Sequence, residues 1–235
     1  MKRALIRYYR YIVERDTESR RLVKFVRLTS QNIDELRVAD IGCGFGRNLR
    51  TLKEAGFHPL GVEINQAIVT TNRGRGLECV TREEFFQNKQ VFDILIMSHV
   101  IEHFSPPDLK EFIDSYLDHL KIGGHLIIAT PLMSKYFYDD FDHIKPYHPE
   151  GILSVFGGDE NAQVQYYSRN KLALRDIWFR TNCFHVKFTR ARYRKLFLIT
   201  ALLHSVNLFS ALVWTVSFGW VGKKDGWVGV FERTR

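Results

Sequence analysis

The chain has 235 residues, 45% of them hydrophobic and 26% charged, which is enough for one large domain with a full core and excludes a disordered chain. The three cysteines, Cys43, Cys79 and Cys183, are few and widely spaced, which excludes a disulfide framework and a CxxC zinc site. We therefore expect a cytoplasmic protein with reduced thiols.

The formal net charge of +8 is concentrated in two segments, 1–27 and 169–195, which hold nine Lys or Arg each. These segments could form solvated faces, or they could attract an anionic membrane or an anionic substrate. No zinc finger or other nucleic-acid-binding signature accompanies the charge, so we expect no nucleic acid partner. The first 21 residues lack a continuous apolar core, so we do not expect a secretory signal.

Up to Pro131, apolar strands alternate with amphipathic helices. The pattern predicts helices at 2–15, 17–28, 47–55 and 107–121, the last of them ended by Gly123 and Gly124. It predicts strands at 37–42, 59–64, 77–80, 92–98 and 125–130. Such alternation is typical of an α/β fold with a doubly wound parallel sheet. Beyond it we predict a long strand at 177–193 and a short last strand at 225–233.

Three glycines, Gly42, Gly44 and Gly46, follow the first predicted strand. Ligands of open parallel sheets bind at the carboxyl ends of the strands, and glycines there permit a sharp turn against which a ligand can lie. Glu63 ends the next strand, 21 residues after Gly42, where a carboxylate can accept hydrogen bonds from ribose hydroxyls. The Gly-x-Gly-x-Gly spacing differs from the Gly-x-Gly-x-x-Gly of dinucleotide-binding folds, which argues against a nicotinamide cofactor.

The segment "VADIGCGFGRNL" resembles motif I of class I S-adenosylmethionine-dependent methyltransferases, and "GVEIN" resembles their acidic second-strand motif. "FDILIMSHVIEHF" is similar to the fourth-strand motif of the Glu-His branch, which includes quinone-biosynthesis and polysaccharide-pathway enzymes, and "GGHLIIATP" resembles the fifth strand. The resemblance covers residues 35–131. It implies a Rossmann-like seven-stranded sheet whose antiparallel last strand pairs between strands five and six.

The resemblance also implies which residues bind S-adenosylmethionine. Asp40 and Gly42 would contact its amino-acid part, Glu63 would hold its ribose, and Ser98 and His99 would flank its methionine end. The full set is Asp40, Gly42, Cys43, Gly44, Gly46, Glu63, Ile64, Asn65, Ser98 and His99. We expect Cys43 only to pack there. The acid that often follows the third strand is not clearly matched by Glu83 or Glu84.

Methyl transfer to a hydroxyl requires removal of a proton, to which an imidazole is well suited. His99, His103 and His143 follow strands four and five, and they are our candidate catalytic residues. Glu102 next to His103 could orient a base or share a weak metal site, and His103 could instead cap the following helix. We predict no metal.

The segment "FDHIKPYHPE" resembles an Asp-x-x-His-x-Arg-Pro-Tyr segment that lies over the pocket mouth in this branch, although Lys145 stands in place of the arginine. The resemblance implies that His143 and Tyr147 face the substrate, and we add His148. The alternative is an ordinary aromatic loop anchor. The sequence has no [DNS]-P-P-[YFW] motif after strand four, which makes methylation of nucleic acid bases improbable.

The uncharged run 196–222 could span a bilayer, which takes about 20 apolar residues. A span would separate the last strand from its sheet, so we expect an apolar helical insertion before that strand, bent near Asn207 or Gly219. Basic residues on both sides favour docking on an anionic membrane. Burial inside the domain or in an oligomer interface is the alternative.

We therefore predict an S-adenosylmethionine-dependent methyltransferase that acts on oxygen of a small-molecule, glycan or lipid-linked acceptor. The alternatives are a soluble N- or C-methyltransferase of a small metabolite and a non-catalytic binding or assembly protein with the same fold. We expect a single domain over 1–235, composed of N-terminal helices (1–30), a cofactor-binding core (35–131), a substrate-side segment (132–175) and the apolar insertion (196–222).

Overall fold

The apolar runs of the sequence become strands in the computed structural model, which describes residues 17–29, 35–158, 163–186 and 196–235. The strands are β1 (Val38–Ile41), β2 (Pro59–Glu63), β3 (Cys79–Thr81), β4 (Phe92–Ser98), β5 (Leu120–Pro131), β6 (Leu172–Asn182) and β7 (Lys223–Arg233). The helices are α1 (Thr17–Leu28), α2 (Arg47–Glu54), α3 (Gln66–Gly74), α4 (Arg82–Gln87), α5 (Pro106–Leu117), α6 (Pro149–Phe156) and α7 (Phe197–Val216). The helix predicted at 2–15 lies outside the described residues.

The strands form one sheet in the order β3-β2-β1-β4-β5-β7-β6. Strands β1 to β5 pair in parallel, whereas β7 pairs antiparallel with β5 and lies between β5 and β6. Both the doubly wound fold and the predicted place of the last strand are therefore confirmed. The strand order reverses between β1 and β4, so a ligand crevice is expected at the carboxyl ends of these two strands.

Strand β4 shows why a continuous apolar run predicts a central strand. Its residues Ile94 and Ile96 belong to the core on one side of the sheet, whereas Leu95 and Met97 belong to the core on the other side. Helix α1 packs on the first side and α5 on the second. Because side chains alternate between the faces of a strand, a strand covered on both faces must be apolar throughout.

The predicted end of α5 was wrong. The helix ends at Leu117, and Gly123 and Gly124 lie inside β5. A Cβ atom on Gly124 would come within 2.9 Å of the Asp93 carbonyl oxygen, so this glycine permits a close approach of two backbones within the sheet. Glycines of this kind resemble a helix stop when only the sequence is considered.

Helix α7 is confirmed as the apolar insertion before the last strand, but the predicted bend at Asn207 is wrong because the helix continues through it. The Asn207 side chain accepts from the Val186 N–H at 2.9 Å and donates to the Val186 carbonyl at 3.0 Å. These bonds satisfy the amide without interrupting the helix. Gly219 follows the helix end in a left-handed conformation.

The chain divides into two compact units. One comprises the described residues of Thr17–Phe179 with Gly226–Arg235 and contains most of the sheet, and the other comprises the described residues of Arg180–Asp225. In the second unit the Asp225 carboxylate accepts from Arg180 Nε at 2.8 Å and from Asn182 Nδ2 at 2.6 Å. The assignment of 1–235 to one domain remains a prediction.

Candidate active site at the carboxyl ends of the central strands

The loop after β1 has a backbone that only glycine adopts readily. Gly42, Gly44 and Gly46 have φ values of 71°, 51° and 74°. A Cβ atom on Gly42 would lie 2.7 Å from Val100, whereas one on Gly44 would meet no atom within 4 Å. Gly42 therefore leaves room for the Val100 side chain to pack against the loop, and Gly44 leaves bare backbone next to open space.

The Glu63 carboxylate, at the end of β2, fixes this loop. One oxygen accepts from the Gly44 N–H at 3.0 Å, and the other accepts from the Asn65 N–H at 3.1 Å. A carboxylate oxygen has a second lone pair, so each oxygen can also accept a bond from a ligand hydroxyl. The structure thus brings together Gly44, Glu63 and Asn65, three members of the set predicted to bind S-adenosylmethionine.

Asp40, on β1, is 1% exposed, and neither carboxylate oxygen has a hydrogen-bond partner among the described residues. Burial raises the pKa of Asp40 to about 7, and the neighbouring Asn48 and Arg47 oppose this rise only in part. An unpaired carboxylate at such a depth is costly, and a bound cation would remove that cost. The ammonium of the amino-acid part of S-adenosylmethionine fits this requirement.

Two large apolar side chains adjoin these polar groups and remain exposed. Phe45, in the glycine loop, is 60% exposed, and Ile64, next to Glu63, is 72% exposed. A flat apolar ring such as adenine could cover them. Together with Asp40 and the bare Gly44 backbone, the residues present fit S-adenosylmethionine.

Cys43 packs as expected, with its sulfur 3.7 Å from the sulfur of Cys79. Asn72, which the sequence analysis missed, donates from Nδ2 to the Gly44 carbonyl at 2.8 Å and so ties the loop to α3. Glu84 closes a capping box with Thr81 at the start of α4, which is a structural role. Asn72 carries no sequence signal because its partner lies 28 residues away in the chain.

His99 lies between two buried carboxylates. Its Nε2 is 2.9 Å from Glu18 of α1, and its Nδ1 is 3.3 Å from Glu102. Burial by itself lowers the pKa of His99, but hydrogen bonds with Glu102 and Glu18 outweigh it and raise the pKa to about 9. At neutral pH both ring nitrogens then carry protons, which suits an electrostatic role better than that of a base. Ser98 also contacts Glu18, with its hydroxyl oxygen at 3.4 Å.

His103 and His143 lie side by side, with ring centroids 5.0 Å apart. Nδ1 of His103 is 3.1 Å from the Asp142 carbonyl, and Nδ1 of His143 is 2.7 Å from the Phe137 carbonyl. A carbonyl can only accept, so each Nδ1 donates a proton, and Nε2 is the nitrogen of each ring that remains to accept one. Nε2 of His143 also lies 3.8 Å from an Asp140 carboxylate oxygen. Both residues therefore remain candidates for a general base.

Glu102 completes this cluster. It is 0% exposed, and one ligand atom from each of Glu102, His103 and His143 lies within 4.8 Å of the others. A carboxylate and two imidazoles at this spacing are also donors that a divalent cation can bind. The sequence predicts no metal, and that prediction is untested.

The substrate-side residues separate in the structure. Tyr147 is 7% exposed, its hydroxyl donates to the Phe104 carbonyl at 2.9 Å, and burial raises its pKa to about 12. These contacts favour the alternative of a loop anchor. His148 is exposed and, with Lys145 and Tyr147, lines a cleft of about 350 Å³ to which His143 does not contribute.

Comparison with known proteins bears on this site. A family model described as a methyltransferase domain matches residues 9–192. The ubiquinone biosynthesis O-methyltransferase of Rickettsia typhi is 26% identical over 124 residues, which are 50% of each chain, so the present chain spans about half the length of this curated relative.

Two solved structures share the fold. A SAM dependent methyltransferase from Archaeoglobus fulgidus superposes with a TM-score of 0.55 at 20% identity, over 95% of this chain and 97% of the other. The magnesium protoporphyrin IX methyltransferase of Synechocystis, with bound SAM, superposes with a TM-score of 0.53 at 14% identity, over 92% of this chain and 77% of the other. At these identities the likeness shows the fold alone.

The raised pKa of Asp40 predicts a pH dependence of ligand binding. Below pH 7 the carboxyl is protonated and must lose its proton to bind an ammonium. The affinity for S-adenosylhomocysteine should therefore fall roughly eightfold from pH 7.5 to pH 6, as calorimetric titration would measure. Asp40→Asn should bind weakly at both pH values. A wild-type affinity that does not change between them would contradict the role given to Asp40.

Proposed function

The chain belongs to the family of methyltransferase domains, and on that premise we propose that it transfers a methyl group from S-adenosylmethionine to a hydroxyl oxygen of a small-molecule acceptor. The observation that carries the proposal is the pair of imidazoles, His103 and His143, whose tautomers are fixed by backbone carbonyls. An oxygen acceptor needs such a base, and an amine that is already neutral needs it less.

The cofactor supplies an activated methyl group on a sulfonium. The protein would hold and orient it: the Asp40 carboxylate would bind the ammonium, and the Glu63 carboxylate would accept from the ribose hydroxyls. The bare backbone at Gly44 lets the ligand approach closely. Fixed donors and acceptors of this kind lower the entropic cost of aligning the reacting atoms.

The proton of the acceptor hydroxyl passes to Nε2 of His103 or His143. The carbonyls of Asp142 and Phe137 keep the other nitrogen of each ring protonated and fix the ring orientation. The buried Glu102 carboxylate, next to both rings, stabilises the imidazolium that forms. His99, which is held between two carboxylates, contributes positive charge instead.

The name of the curated relative supports an acceptor with a hydroxyl on a small aromatic or quinone-like ring. A glycan or a lipid-linked acceptor is the second choice. The alternatives, an N- or C-methyltransferase of a small metabolite and a non-catalytic binding protein, predict different results in the assay below.

The assay measures transfer of labelled methyl from S-adenosylmethionine to phenolic acceptors and to their amine analogues. His103→Gln and His143→Gln should identify the base: in one of them, turnover of the hydroxyl acceptor should fall about 100-fold, while the affinity for S-adenosylhomocysteine remains unchanged. His58→Gln, an exposed histidine outside the site, is the matched control. Transfer only to amines would favour the N-methyltransferase, and binding without any transfer would favour the non-catalytic protein.

We also infer a cytoplasmic protein that contacts an anionic membrane through α7. Residues Leu198–Val216 are long and apolar enough to cross a membrane, and only 11% of this stretch is buried inside the structure. Leu198, Leu202, Phe209 and Val216 are 80%, 64%, 69% and 77% exposed. Their spacing places them on one face of the helix, where they form an exposed apolar stripe.

The opposite face of α7 is covered. Asn207 is 1% exposed and bonds to the backbone of Val186, and Ala211 is 0% exposed and packs on Cys183. One covered face and one exposed face support a helix that lies at the surface rather than one enclosed inside the monomer.

Chain connectivity argues against a membrane span. Strands β6 and β7, which precede and follow α7, are neighbours in one sheet, whereas a single crossing would place them on opposite sides of a bilayer. An in-plane orientation remains, with the stripe in the acyl region and the basic residues Lys223 and Lys224 near anionic headgroups.

Sedimentation with vesicles tests this inference. The protein should bind vesicles that contain phosphatidylglycerol and should bind pure phosphatidylcholine much less. Leu202→Glu and Phe209→Glu should abolish binding, and Ile122→Glu, at another exposed apolar residue, should not. The wild type could instead bind neither kind of vesicle and form a dimer that Phe209→Glu dissociates. In that case the stripe is an oligomer interface.

A further inference from the structure

Glu18 lies in the first turn of α1, outside the segment 35–131 that carries the resemblance, yet it reaches the active site. Its side chain is 4% exposed, and one carboxylate oxygen lies 2.9 Å from His99 Nε2 and 3.4 Å from Arg47 Nη2. His99 follows β4 and Arg47 begins α2. Both elements border the glycine loop, so a single carboxylate oxygen joins two cations at the edge of the site.

His99 is held in an unusual conformation. Its φ of 57° lies in the left-handed region, which residues other than glycine seldom adopt. Backbone strain of this kind persists where the surrounding structure enforces it, and it occurs often at active sites. Here Glu18 and Glu102 hold the two ring nitrogens and the Ala129 carbonyl accepts from the backbone N–H at 2.8 Å.

Fastening α1 to the sheet does not by itself require Glu18. Leu22, Phe25 and Val26 of α1 are 0–2% exposed and pack against the sheet, and the Ser19 hydroxyl bonds to Asn48 at 3.0 Å. A buried carboxylate costs desolvation energy that apolar packing does not. The charge of Glu18 is therefore better explained by the two cations that it contacts.

The amino-acid part of S-adenosylmethionine carries an ammonium and a carboxylate. Arg47 is close enough to Asp40 for its charge to lower the pKa of the Asp40 carboxyl, which can bind the ammonium. The carboxylate then needs cations close by. Arg47 and His99 are 52% and 36% exposed at their side chains, so each presents part of its surface to a ligand.

We propose that Glu18 is a positioning residue of the cofactor site, which holds His99 and Arg47 where they bind the carboxylate of the methionyl group. The proposal rests on S-adenosylmethionine as the cofactor and is independent of the acceptor. It adds α1 to the elements that form the site.

Calorimetric titration with S-adenosylhomocysteine tests the proposal, with Glu18→Gln as the variant because it keeps the shape and removes the charge. The dissociation constant should increase about tenfold, as expected for the loss of one charge-assisted contact. The affinity for 5′-methylthioadenosine, which lacks the amino-acid part, should not change. Equal losses for both ligands would overturn the proposal, because Glu18 would then act on the whole cleft.

Leu22→Ala is the structural control, since it loosens the packing of α1 without removing a polar contact. It should lower the unfolding temperature at least as much as Glu18→Gln and leave the affinity for S-adenosylhomocysteine within twofold. An affinity loss equal to that of Glu18→Gln would show that Glu18 only fastens the helix.

A double variant tests whether Glu18 acts through His99. Glu18→Gln combined with His99→Gln should weaken binding by less than the product of the two single effects. Effects that multiply would contradict this coupling. If the wild type bound neither ligand, the proposed cofactor would be wrong, and that outcome is distinct from a failure of Glu18 alone.

Discussion

The hydrogen bond from the Gly44 N–H to the Glu63 carboxylate is the contact on which the geometry of this site depends. It joins the loop after β1 to the end of β2, which parallel pairing brings to the same edge of the sheet. The second bond to Glu63, from Asn65, prevents the carboxylate from rotating away. The bare backbone, the Glu63 carboxylate proposed to accept from the ribose, and Asp40 are therefore held in a fixed relation before any ligand binds, which lowers the cost of binding.

Local patterns predicted the sheet and the glycine loop, but the bounds of the long strand predicted at 177–193 were wrong, because β6 begins at Leu172 and ends at Asn182. The bounds of β4 matched the prediction because a strand buried on both faces is a continuous apolar run. The end of α5 was missed because Gly124 serves a close backbone approach in β5, which a sequence does not distinguish from a helix stop. The bend expected near Asn207 is absent because its side chain bonds to Val186, which becomes its neighbour only after folding.

The sequence alone did not distinguish the roles of the histidines, because their partners also become neighbours only after folding. His99 and His103 are four residues apart, yet one lies between carboxylates and the other donates to a carbonyl. Glu18 comes from α1 and the Asp142 carbonyl from the segment after β5, and such partners determine which nitrogen carries a proton. Glu18 was missed altogether, because a lone acid in a basic helix gives no sign of its tertiary contacts.

Calorimetric titration of the purified protein with S-adenosylhomocysteine, compared between the wild type and Glu63→Ala, tests the central claim most directly. Glu54→Gln, an exposed acid on α2, is the matched control. The account predicts binding at one site, unchanged in the control and weakened at least tenfold in Glu63→Ala, because the loop loses its anchor and the ribose loses its acceptor. No binding by the wild type, or equal binding by Glu63→Ala, would contradict it.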